Sequence, residues 1–192
     1  SPIILSPFRI DIANYNEFLH LLRVTGKAIA FVRRFTRSRN FVSVTTRRKV
    51  LAQAEFMWIQ SEQQVHHREV FDAIREKKSN DLVCKLRLFI DEEGIIRRAH
   101  QLRNADLSYG EKFPILLPKL KSSRFTRLLI RHFHMLVYHQ GTAYTLNQIR
   151  REFWIPQGQA AVSSVILGCE KCKRFMRRPY TQPKIWTYLP SG

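Results

Sequence analysis

The chain has 192 residues, enough for one ordinary domain or two small ones, and 44% of them are hydrophobic, so it can build a core and wholesale disorder is excluded. Thirty-three Lys and Arg stand against 15 Asp and Glu, a net charge of +18. That excess disfavours a cationic partner and favours polyanions, nucleic acid first and an acidic membrane surface second. No apolar run approaches the ~20 residues of a membrane span. The apolar opening Ser1–Leu5 lacks a basic leader and is broken by Pro7, unlike a secretory signal. Three cysteines, an odd number, point to a reducing compartment. The expected location is intracellular, in the nucleus or a cytoplasmic particle.

Residues 1–12 read as an extended leader. From Tyr15 to Phe35, Phe18, Leu22, Ile29 and Val32 recur near multiples of the helical period, with Gly26 interrupting at modest cost. Between Phe18 and Ala54 there is no acidic residue, and there are nine basic ones: Arg23, Lys27, Arg33, Arg34, Arg37, Arg39, Arg47, Arg48 and Lys49. A block so one-sided suits either non-specific phosphate binding or a solvated linker. A second helix is expected from Thr46 to about Lys78, on a stripe of Val50, Ala54, Trp58, Val65 and Phe71. His66 and His67 would point ~100° apart on that helix and could not share an ion, so both read as surface histidines.

From Leu82 to Arg97 the pattern changes. Leu86, Leu88 and Ile90 alternate, Asp91-Glu92-Glu93-Gly94 makes a turn, and Ile95-Ile96 resume, which is a hairpin with Cys84 as a small buried residue of its first strand. Asn104 to Pro118 is mostly loop, with a short extended Ile115-Leu116-Leu117. After Lys121 helices return. Ser122 or Ser123 can cap the first, through Phe125, Leu128, Leu129, Phe133 and Leu136, ended by Gly141. Thr142 or Thr145 can cap the second, stopped by Pro156, and a third runs from about Gln159 to Gly168. The expected organisation is a helical basic arm over 1–80, a hairpin and loop over 81–120, a helical unit over 121–178 and a proline-containing linker over 179–192.

Four residues carry the chemistry: His134, His139, Cys169 and Cys172, a His pair with four residues between and a Cys pair with two, 29 residues apart. Zinc takes four nitrogen or sulfur ligands in a tetrahedron, and such a set fills every position, so the expected ion is one structural Zn2+ with no place for a catalytic water. His132 is the alternative to His134. It shares a helical face with His139 but would lie about 10 Å from it along the axis, too far for one ion. His139 must therefore leave the helix, and the nearer His134 then reaches it most easily. A unit of about 60 residues is marginal for a single core, and a structural zinc supplies the folding energy it lacks, on the order of 10 kcal/mol in small metallo-peptides. Charge concentrates here too: Lys121–Gly192 carries 12 basic residues and only two acidic ones, Glu152 and Glu170. Lys171, Lys173, Arg174, Arg177 and Arg178 cluster at the Cys pair beside Phe175 and are candidate phosphate contacts, with a cationic linker as the alternative.

The run His134-x4-His139-Gln140-Gly141, Thr145-Leu146-x-x-Ile149-Arg150, Phe153-Trp154-Ile155-Pro156-x-Gly158, Cys169-x-x-Cys172 resembles the HHCC zinc-binding domain of retroelement integrases, more narrowly the Pao/BEL class of long-terminal-repeat retrotransposons. Phe89–Arg97 and the phrase from Leu102 to Pro118 are similar to the segment preceding that domain in these Pol polyproteins, and the helix around Leu22–Thr25 to the link between RNase H and integrase. Arg98-Ala99-His100-Gln101 stands where these elements often carry paired glycines. The resemblance implies a mainly α fold with a small β-hairpin, in which a zinc-stabilised three-helix, helix-turn-helix-like module follows a helical arm. It implies help with integrase assembly and contact with DNA, both element ends and target, and no membrane partner. Catalysis in that family needs a carboxylate triad holding two Mg2+. The chain stops near Leu189-Pro190, where that core would begin, so no catalytic residue and no enzyme activity are expected of it alone. The competing expectations are a zinc-folded self-association module without DNA contact, a host-adopted DNA-binding protein, and the tail of a reverse transcriptase–RNase H.

Overall fold

A computed structural model describes residues 6–35, 47–76, 78, 80–99 and 106–176. The expected linker 179–192 and the cations Arg37, Arg39, Arg177 and Arg178 lie outside them. Two short 3-10 turns, Pro7–Arg9 and Ile12–Asn14, lead into α1 (Phe18–Phe35). Then follow α2 (Arg47–His66), α3 (Arg68–Arg75), α4 (Asp81–Leu86), β1 (Leu88–Ile90), β2 (Ile96–Arg98), α5 (Tyr109–Lys112) and β3 (Ile115–Leu116). The C-terminal part holds α6 (Arg124–Leu136), α7 (Gly141–Arg150), β4 (Phe153–Trp154), α8 (Gly158–Leu167) and α9 (Glu170–Met176). The fold is mainly helical, with one small four-stranded sheet in the order β1-β2-β3-β4.

The hairpin's turn is where the sequence places it, while its first strand begins only at Leu88, after α4. Asp91 builds its turn: its backbone N–H donates to Ile95 O, and its Oδ1 accepts from Glu93 N and Ile95 N. Its other oxygen pairs with Arg97, both side chains being buried. Gly94, at φ +78°, supplies the left-handed residue. β2 runs antiparallel to β3 through Arg97 and Ile115, and β3 runs parallel to β4, with Ile115 opposite Phe153 and Leu116 opposite Trp154. Gln63 of α2, fully buried, completes this sheet. Its Nε2 donates to Ile96 O (2.9 Å) and Leu116 O (2.7 Å), and its Oε1 accepts from Ile96 N (2.8 Å).

Four expectations need correction. The second helix does not run to Lys78; it breaks at His67, whose backbone (φ −127°, ψ 28°) is not helical. The break turns α3 so that Val70 and Phe71 cover Leu88, Ile96 and Leu116 of the sheet. His66 is exposed as expected, but His67 is half-buried, hydrogen-bonded to the Leu117 backbone, and burial lowers its pKa. Cys84 is not in a strand: Asn80 accepts from Leu82 N and Val83 N and starts α4, which leaves Cys84 exposed. Gly141 does not end the helix before it but opens α7.

One hydrophobic cluster ties the N-terminal helices to the C-terminal ones. Phe18, Leu21, Leu22 and Ile29 of α1 and Ala54, Trp58 and Ile59 of α2 pack in it with Phe125, Leu129, Ile149, Val162 and Cys172. Phe18 meets Phe125 edge-on, with centroids 5.4 Å apart. The Trp58 indole N–H donates to Thr25 Oγ1, which donates to Leu21 O, so the polar atoms at the α1–α2 contact are paired. Arg124, at the start of α6, donates to Ile12 O, Tyr15 O and Asn16 Oδ1 and fastens the N-terminal segment.

Candidate metal centre

Ser123 caps α6, its Oγ accepting from Thr126 N at 3.0 Å. That fixes where the helix begins, and its far end delivers His134, only 1% exposed. Beyond Val137 the chain closes in a Schellman motif. Tyr138 N–H donates to Met135 O, and His139 N–H donates back to His134 O at 3.0 Å. Tyr138 holds the left-handed position, φ 52°, and His139 follows at φ 65°. The two histidines are thus the two ends of the motif's longest hydrogen bond, which explains the His-x4-His spacing. An inverse γ-turn at Gln140 (φ −75°, ψ 61°), closed by Gly141 N–H to His139 O, then launches α7.

The cysteines arrive on α8 and α9. Gly158 begins α8 where a Cβ would stand 3.0 Å from Leu146 Cδ1, so the close α7–α8 approach accounts for glycine in the Phe-Trp-Ile-Pro-x-Gly phrase. Cys169 precedes α9 and accepts the first helical bond, from Lys173 N; Cys172 lies inside that helix, buried. The module therefore carries a fourth, short helix besides the three expected.

The ligand atoms of His134, His139, Cys169 and Cys172 all lie within 4.8 Å of one another. His139 Nδ1 is 2.9 Å from His134 Nε2, 3.4 Å from Cys169 Sγ and 3.7 Å from Cys172 Sγ, and His134 Nε2 is 3.1 Å from Cys172 Sγ. A tetrahedral zinc with its usual bond lengths has edges of roughly 3.3–3.8 Å between such donors. Size and donor chemistry therefore fit zinc. His132 is elsewhere: its ring stacks on Phe18, centroids 5.3 Å apart.

The surroundings prepare the donors. Thr145 Oγ1 donates to Gly141 O at 2.7 Å, so its lone pair faces His134 Nδ1, 3.4 Å away. This sets the Nδ1–H tautomer and leaves Nε2 free for the ion. Burial, with the neighbouring His139, lowers the pKa of His134, which favours the neutral form that binds metal. Burial works to raise the Cys169 thiol, but N–H groups of Cys172 and Lys171, the Cys172 thiol and the Arg131 charge outweigh it and pull the thiol down. Burial and the neighbouring Cys169 raise Cys172.

Of the predicted phosphate contacts, Lys171, Lys173 and Arg174 are exposed beside the centre, Lys173 being paired with Glu170 at 3.1 Å. Two cations were missed from sequence, Arg127 and Arg131. With Lys171 they line a groove of about 560 Å3 that also touches His134, His139 and Cys169. Their four-residue spacing on the exposed face of α6 was the available signal.

Residues 122–178 match the family model of the integrase zinc-binding domain, a span that contains all four ligands. No curated protein and no solved structure matches the chain. The chain thus contains an integrase-type zinc-binding domain, and the donors for one zinc ion are in place within it. Among the described residues no helix is long and apolar enough to cross a membrane.

Proposed function

We propose that this chain acts as the zinc-folded, non-catalytic portion of a Pao/BEL-type retrotransposon integrase, helping the integrase assemble and contacting DNA at the element ends and the target. One observation carries this: four nitrogen and sulfur donors within 4.8 Å of one another, inside the segment that matches the integrase zinc domain. The zinc, held by His134, His139, Cys169 and Cys172, contributes folding energy and fixes α6, α7 and α9 relative to one another. The rigid frame then holds Arg127, Arg131 and Lys171 around one groove, with Lys173 and Arg174 beside it; Arg177 and Arg178 extend the same cationic run in sequence. We assign no step of strand transfer to these residues. The site of action we propose is intracellular, with no membrane partner.

The test is binding of the zinc-loaded chain to a duplex of element-end sequence over a salt series. Affinity should fall linearly in log salt, and R127Q/R131Q/K171Q should reduce the slope by about two or more. An unchanged slope contradicts DNA contact by this face. A second reading, self-association without DNA contact, is favoured by Leu136, Tyr138 and Tyr144, which are 56%, 87% and 48% exposed around one groove on the same module. Sedimentation of Y138S/Y144S separates the two: loss of a dimer with DNA binding intact assigns assembly to this patch.

A further inference from the structure

We propose that α1 and α2 form a second nucleic-acid site, for single strands, with Arg23, Lys27 and Arg47 on backbone phosphates and Phe31 and Phe35 under bases. All five residues lie outside the segment 122–178 that matches the zinc domain. The two helices line a groove of about 440 Å3, with Arg23 and Lys27 contributed by α1 and Arg47 and Val50 by α2. No acidic side chain lines it, and none occurs in sequence from Phe18 to Ala54. Among the described residues Arg23, Lys27 and Arg47 make no ion pair. Their burden is uncompensated: Arg47, Arg48 and Lys49 all stand in the first turn of α2, where the helix field disfavours cations, so this charge does not serve stability.

Beyond the groove the same ridge of α1 changes chemistry. Arg23, Lys27, Phe31 and Phe35 follow at four-residue intervals, a winding row along the helix surface. Phe31 and Phe35 are 65% and 81% exposed, with ring centroids 5.8 Å apart. Large aromatic rings held in water beside unpaired cations match what a single strand offers, an unstacked base next to a phosphate. A duplex hides its base faces, and a bilayer surface is flat where these cations converge on a concave groove, so the single strand is favoured over both.

The test uses the full zinc-loaded chain and a labelled 20-nucleotide single strand, with its duplex and anionic phosphatidylserine vesicles in parallel. R23Q/K27Q/R47Q should lower the slope of log affinity against log salt by about two, each lost contact counting about 0.7. F31S/F35S should weaken single-strand binding at least tenfold and leave the duplex nearly unchanged. All five side chains are at the surface, and unchanged helicity of both variants confirms that they fold. Unchanged single-strand affinity in both variants overturns the proposal, as does loss of vesicle binding alone. Because the zinc-module cations are intact in these variants, failure here leaves the module's own DNA contact standing, and failure there leaves this site standing.

Discussion

Thr145 is the residue on which the quality of the metal site turns. Its hydroxyl is committed to Gly141 O, so it faces His134 Nδ1 as an acceptor and holds the imidazole in one tautomer. Thr145→Val keeps the shape and removes both bonds. Zinc affinity should fall about 10- to 100-fold with stoichiometry kept at saturating metal, as competition with a chromophoric chelator would report. Glu55 is the second telling residue. Burial, with the nearby charge of Glu152, raises its pKa from 4.5 to about 7. The folded chain therefore keeps a proton that the unfolded chain has released between about pH 4.5 and 7, so this group's effect turns unfavourable as pH rises through that window. Glu55→Gln should stabilise the protein on the order of 2 kcal/mol at pH 8 and leave it nearly unchanged at pH 4.5, as denaturant titrations at the two pH values would show.

Among the elements, the sheet draws much of its β2–β3 bonding from one side chain. Its β2–β3 contact is a single pairing of Arg97 with Ile115, and Gln63 supplies three further hydrogen bonds to those strands. Gln63→Leu leaves these buried backbone groups unpaired and should cost about 2–4 kcal/mol in urea unfolding, well beyond an ordinary polar-to-apolar change. The metal ligands were legible in sequence because both pairs are local motifs: the His pair spans a Schellman closure, and the Cys pair spans the first turn of α9. The hairpin was legible because Asp91 and Gly94 announce its turn. The break at His67 was not, since the apolar stripe runs on through Val65 to Phe71 and only packing on the sheet demands the change of direction. β4 was not either: two residues show no periodicity, and Phe153-Trp154 become a strand only because Ile115 and Leu116 lie alongside.

Across the whole molecule the zinc module is not an appendage. Phe125 and Leu129 of α6 share one core with Phe18 and Leu22 of α1 and Trp58 of α2, and Cys172 belongs to the same cluster. Loss of the ion should therefore loosen the α1–α6 contact as well as the module, and Trp58, fully buried, reports it. In a chelated W154F/W186F variant, where Trp58 is the sole emitter, the fluorescence should shift to longer wavelength together with the loss of helical circular dichroism, in one transition rather than two. The most direct test of the account is metal content by mass spectrometry of the purified chain, followed by helicity under a strong chelator. One zinc per chain, abolished in His134→Ala and Cys172→Ser, with helicity falling on chelation and returning with added zinc, is the predicted result. A metal-free chain that keeps its full helicity would contradict it.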